Sequence, residues 1–165
     1  MGGGERKAGP GAPPPLRPFG LVLHHDGRWS HEGAPLLNRK LRQLFDRSVR
    51  VAPEEGKFVV QVKHFRGQIE VEEAAFFVRD VDLELGQLRL SDGSVEVFDV
   101  ASLVPSAFDR AWLCRVKRDL RPGGVLARFG HAAQAEVQAA VSIQGERIVL
   151  RVAGHDRALP AAVCD

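Results

Sequence analysis

Gly56-Lys57-Phe58-Val59-Val60-Gln61-Val62 and, about 90 residues further on, Gly145-Glu146-Arg147-Ile148-Val149-Leu150-Arg151-Val152 are the two stretches that decide the fold. Each opens on a turn-forming glycine and runs into β-branched and aliphatic residues, the pattern of a half-buried strand. Each also follows a helical pattern. Leu37, Leu41, Leu44, Phe45 and Val49 recur at helical spacing behind Asn38, a residue suited to cap a helix N-terminus, and this helix should end near Arg50, before Pro53 and Gly56. In the second stretch a helix over His131–Val141 turns Ala133, Val137, Ala140 and Val141 to one side. The order helix, glycine turn, strand, turn, strand therefore occurs twice, and self-similarity at a fixed offset is the mark of a duplicated unit. The expected fold is α+β: two related half-domains, each a helix packed on a small antiparallel sheet, with a groove between them.

Working outward, Leu21–Leu23 reads as a strand running into Asp26-Gly27, a hairpin dipeptide, and a short segment carrying Trp29 and His31. Ile69–Glu72 and Ala75–Leu83 continue a meander, and Leu88, Leu90, Val95, Val97 and Val100 form an alternating hairpin around Ser91-Asp92-Gly93. A helical turn, then a strand over Ala111–Lys117, fits the next stretch, and Val125–Phe129 is a further strand. The predicted organisation is a disordered tail at 1–18, an N-terminal half at 19–84 and a C-terminal half at 85–165. The tail is rich in glycine and proline and cannot bury enough apolar area to offset chain entropy.

Composition excludes more than it assigns. No apolar run approaches the roughly 18 residues that cross a bilayer, and the glycine-rich start has no apolar secretory core, so the expected address is the cytoplasm, without a membrane. Cys114 and Cys164 lie far apart, which suits one core thiol and one terminal thiol rather than a disulfide or zinc site. Of the 23 basic and 21 acidic residues, three and one fall in the first 18, leaving 20 of each in the body. A neutral body argues against nucleic acid as a partner.

The run Asp26-Gly27-Arg28-Trp29-Ser30-His31-Glu32-Gly33-Ala34-Pro35, with Ile69-Glu70-Val71-Glu72-Glu73-Ala74-Ala75-Phe76, resembles the bacterial domain of unknown function family 1285. The resemblance extends through Arg115-Val116-Lys117-Arg118-Asp119-Leu120 and Leu126-Ala127-Arg128-Phe129, across most of 19–160. Where that family carries Thr-Pro-Val-Glu and Asp-x-Pro-Phe, this chain has Val62-Lys63-His64-Phe65 and Glu73-Ala74-Ala75-Phe76, so it resembles a divergent member. The resemblance implies a duplicated α+β fold around a central groove and a regulatory or ligand-sensing role. It supplies no catalytic residue.

Among the residues themselves, His24, His25, Asp26 and His31 cluster, but neighbouring strand residues point to opposite faces and no metal-ligand spacing is present, so neither metal nor cofactor is expected. Nucleotide-loop and nucleophile-elbow motifs are absent from the sequence. Two basic runs remain, Arg39, Lys40, Arg42, Arg47 and Arg50 on the first helix, and Arg115, Lys117, Arg118 and Arg121. The leading expectation is a non-catalytic ligand-binding or regulatory module holding a small anionic ligand or partner peptide, its groove lined by Trp29, His31, Arg39, Arg42, Glu70, Glu72, Arg115, Lys117 and Arg128. The competing readings are a core role for Trp29 and a solvated, internally paired role for the basic runs. A metal-assisted or hydrolytic enzyme centred on His24, His31, Glu70 and Glu72 is the alternative from another class, and weak nucleic-acid binding through the basic helix is a third.

Overall fold

The computed structural model describes residues 17–54 and 56–165. Six strands build the first sheet. β1 (Arg17–Leu23), β2 (Trp29–His31) and β3 (Ala34–Pro35) form one antiparallel meander; β4 (Val49–Val51), β5 (Phe58–Val62) and β6 (Phe65–Val71) form another. They join through a parallel pairing of β1 with β6, giving the order β3-β2-β1-β6-β5-β4. The helix α1 (Arg39–Ser48) connects the meanders and lies against β5.

The second sheet repeats the scheme. β7 (Phe76–Asp82), β8 (Gln87–Leu90) and β9 (Val95–Val97) form one meander; β10 (Val104–Pro105), β11 (Trp112–Val116) and β12 (Val125–Phe129) form the other. A parallel β12–β7 pairing joins them in the order β10-β11-β12-β7-β8-β9. The helix α2 (His131–Ala140) touches β7 and β14 of a third, three-stranded sheet, β13 (Ser142–Gln144), β14 (Arg147–Val152) and β15 (His155–Ala158).

Two similar six-stranded sheets thus bear out the α+β, two-part reading. They are mixed rather than antiparallel, because each is two local meanders joined by one parallel pair that brings together segments far apart in the chain. The helix-then-three-strands order does recur, as α1-β4-β5-β6 and α2-β13-β14-β15, but the second copy's strands form their own sheet. The division expected at 84–85 falls within the β7–β8 hairpin, whereas the sheets change over between Val71 and Phe76. Of the expected tail, residues 1–16 lie outside the described residues, and Arg17 and Pro18 already open β1.

Local chemistry explains most boundaries. Asn38 caps α1 as expected, its Oδ1 accepting from the Leu41 amide at 3.0 Å. That helix stops at Ser48 rather than near Arg50, since Val49 turns extended and pairs with Val60. Glu32 and Gly33 both have positive φ, 48° and 83°, the backbone of a tight hairpin turn between β2 and β3. The residues directly before β11, 106–111, form no helical turn. Asp109 Oδ1 instead accepts from the Ala111 amide, and the expected Val100 strand is a 3-10 turn over Val100–Ser102. β7 lies in the middle of its sheet, and its first half, Phe76, Phe77 and Val78, is buried on both faces and reads as a continuous apolar run instead of alternating, whereas Arg79 and Asp80 beyond it are exposed. The buried core is continuous from Leu21 on β1 to Leu150 and Val152 on β14. Among the described residues no helix is long and apolar enough to cross a membrane.

Candidate functional site

The nine residues expected to line one groove are distributed over separate places. Trp29 is 1% exposed, packed on Phe45, with its Nε1 donating to Asp46 Oδ1 at 2.8 Å; it anchors the core and is closed to a ligand. Burial raises the Asp46 carboxyl above its ordinary range, against the lowering pull of Trp29, Arg79 and Arg42. His31 packs on Phe19 at the rim of the first sheet. Arg39 lies exposed at the start of α1, and Glu70 is exposed on β6. Arg42 is partly buried on α1, and its Nε has no hydrogen-bond partner among the described residues.

Glu72 belongs to a cluster with His24 and His25. His24 Nδ1 lies 3.0 Å from Glu72 Oε2, and its Nε2 lies 2.9 Å from Ser30 Oγ. His25 Nδ1 contacts the other carboxylate oxygen, and its ring stacks on Phe108 with centroids 4.3 Å apart. Hydrogen bonds from His25 and then His24 hold the Glu72 carboxyl below its ordinary range. Ser30, His24 and Glu72 thus have the connectivity of a nucleophile, base and orienting acid. Ser30, however, is 8% exposed. No group of three or more metal-ligating side chains suited to an ion occurs among the described residues.

Next in the chain, Glu73 does a different task. Arg128 Nη1 lies 3.3 Å from Glu73 Oε1, its other terminal nitrogen contacts Asp109, and Ser106 Oγ and the Ala107 amide donate to Glu73 at 2.8 and 3.1 Å. The Arg128 and Glu73 side chains are 11% and 7% exposed, so this is a buried, fully engaged pair that ties the 72–75 crossover to β12. Sequence reading missed Glu73 as Arg128's partner because 55 residues separate them.

The second basic run is mostly consumed by partners. Lys117 Nζ sits 2.8 Å from Asp92 Oδ2 and 3.0 Å from Ser94 Oγ, above the Phe76 ring, and both ionic side chains are 8% exposed. Burial alone would raise Asp92, but the hydrogen bonds from Lys117 and Ser94 outweigh it and bring the carboxyl below its ordinary range. Arg118 pairs with Asp99 at 2.7 Å. Arg121 lies over Phe58 and donates to the carbonyls of Ala52, Glu54 and Lys57 at 3.2–3.4 Å, a clasp between the two large sheets. Arg115 alone of this run has neither an ion pair nor a side-chain hydrogen bond among the described residues.

Two open clefts lie beside these side chains among the described residues. The larger, about 800 Å³, lies between the second sheet and the three-stranded sheet, with Arg115 and Lys117 on one side and Arg157 on the other over apolar Val97, Phe98 and Val152. The smaller, about 660 Å³, lies between the first and second sheets at the start of α2 and includes Asp26, Arg79, Arg110 and Arg128. Neither is the single expected groove. Arg39 and Arg42 line neither cleft, and the cleft with Arg115 and Lys117 falls wholly within residues 85–158.

This α+β fold has a counterpart among solved proteins of a domain-of-unknown-function class. The chain is similar to a DUF1285 family protein from Silicibacter pomeroyi DSS-3, with a TM-score of 0.61 and 17% identity over 88% of this chain and 82% of that one. It is also similar to a DUF1285 family protein from Shewanella baltica OS155, with a TM-score of 0.48 and 15% identity over 74% and 91% of the respective chains. The first of these matches, at the level of the fold, the family resemblance read from the residues. No family model and no curated protein matches the chain.

Proposed function

We propose that the chain is a divergent DUF1285-type binding module that holds an anionic ligand with an apolar body in the 800 Å³ cleft. One observation carries the reading. Arg115 and Arg157 enter that cleft from two different sheets, and neither has an ion pair among the described residues, whereas Lys117 and Arg118 beside them are neutralised by Asp92 and Asp99. Asp119 is the only carboxylate of the lining without such a pair. Guanidinium groups are suited to forked recognition of carboxylate or phosphate, and the apolar floor supplies the rest of the affinity. Octanoate is the test probe. At a hundredfold excess over its Kd it adds about 2.7 kcal/mol, raising Tm by roughly 5–10 °C for a chain of this length. The Arg115→Ala/Arg157→Ala chain should lose that rise. An equal rise in both chains, or none in either, contradicts the proposal.

The hydrolytic reading keeps one observation in its favour, the Ser30–His24–Glu72 relay. A fluorophosphonate probe decides it: labelling of Ser30 that disappears in His24→Ala would establish a nucleophile. The burial of Ser30 and its absence from both clefts favour no labelling.

A further inference from the structure

Among the strand edges, β9 stands apart. The outer strands β3 and β10 each contain a proline, Pro35 and Pro105, and β15 is charged along His155-Asp156-Arg157, devices that discourage pairing with another chain. β4 carries Arg50, and β13 offers a single apolar Ile143 between Ser142 and Gln144, away from both clefts. β9 has neither proline nor lysine, and its one charge, Glu96, reaches towards Lys117 at 3.8 Å. Its valines lie in the open, Val95 55% and Val97 76% exposed.

The ladder fixes which backbone groups of β9 are free. Leu90 N donates to Ser94 O and Phe98 N donates to Gly86 O, both at 2.9 Å, and Leu88 stands opposite Glu96. Alternation along an antiparallel pair then turns the N–H and C=O of Ser94, Glu96 and Phe98 towards β8 and those of Val95 and Val97 outward. The open edge is also a wall of the larger cleft, which takes in Glu96 and Val97, continues along Phe98, and faces Arg157 on β15.

We infer that the anion recognised in this cleft is carried on an extended polypeptide segment of a partner protein, added as a strand to the β9 edge. The inference rests on the cleft reading above and deepens it. Backbone groups of Val95 and Val97 supply the pairing, the exposed valines take alternate apolar side chains, and Arg115 and Arg157 select acidic ones.

The test titrates the full chain with a fluorescein-labelled peptide of alternating valine and glutamate, followed by anisotropy. N-methylation of the peptide's valines should weaken Kd at least tenfold, and replacing its glutamates by lysine should abolish binding. Val97→Pro should weaken it likewise, because the proline removes an outward donor and no ladder bond. The N-methylated peptide leaves the protein untouched, so the test holds even if that variant folds poorly. Equal binding of methylated and unmethylated peptide overturns strand addition. So does a peptide that fails to bind while octanoate still protects, an outcome that leaves the cleft reading intact. Failure of both ligands overturns both proposals. Light scattering that finds a dimer dissociated by Val97→Pro would make a second copy the occupant and overturn the partner assignment.

Discussion

Replacing Lys117 by methionine should destabilise the chain without touching the ligand, and the size of the effect follows from its surroundings. The ammonium and the Asp92 carboxylate meet at 2.8 Å with both side chains 8% exposed, so removing the cation strands a buried anion. Breaking such a pair costs about 3–5 kcal/mol. Two features place Lys117→Met near the lower limit: Asp92 keeps bonds from the Ser94 amide and hydroxyl at 3.0 and 2.6 Å, and the methionine still covers Phe76. Lys117 has a φ of 55°, but methionine bears the same left-handed strain, so that contribution cancels. A loss of about 3 kcal/mol lowers Tm by roughly 6–12 °C in a chain of this size. Urea unfolding of Lys117→Met, Asp92→Asn and the double variant measures the coupling, and the double should recover much of the loss because no buried charge remains. Arg115→Ala, on an exposed and unpaired side chain, should stay within about 0.5 kcal/mol. A change below 1 kcal/mol for Lys117→Met, or loss of octanoate protection in a stable Lys117→Met chain, would refute the division between a structural lysine and ligand-facing arginines.

Other consequences are equally open to measurement. Asp46→Leu orphans the Trp29 indole N–H and should cost about 1–3 kcal/mol in urea unfolding, whereas Asp46→Asn retains an acceptor and should cost less. Because burial raises the folded-state pKa of Asp46, the native state binds the proton more readily; the stability of the parent relative to Asp46→Asn should improve as pH falls through that raised value. Asp92 has the opposite sign. Its lowered pKa contributes stability above the unfolded value, lost as pH falls through the folded value, so parent and Asp92→Asn should converge in strong acid. Cys114 is buried, with its thiol pushed up to about 12 by burial and then by Asp99, while Cys164 is exposed. An Ellman titration at pH 8 should therefore find one fast thiol and a second only on unfolding.

Local signals carried much of the architecture. Asp26-Gly27, the Asn38 cap, both helices and the twice-repeated helix-and-strands order are all written within a few residues of where they act. No sequence pattern marks the strands β3, β4, β10 and β13, because two or three residues cannot display a period. The parallel joints β1–β6 and β12–β7 are set by contacts between distant segments, which no local pattern encodes. The same reason scattered the expected groove. Basic side chains adjacent in sequence meet different partners: Lys117 meets Asp92, Arg118 meets Asp99 and Arg121 meets the carbonyls of the 52–57 loop, leaving Arg115 to be joined in its cleft by Arg157, 42 residues away and outside either basic run.

The most direct test of the central claim is a backbone amide NMR titration of the full chain with octanoate. Shifts should concentrate at Val97, Arg115, Ala153 and Arg157 around the larger cleft, and vanish in the Arg115→Ala/Arg157→Ala chain. Shifts centred instead on Asp26, Arg79 and His131, or none at all, would contradict the assignment of that cleft as the binding site.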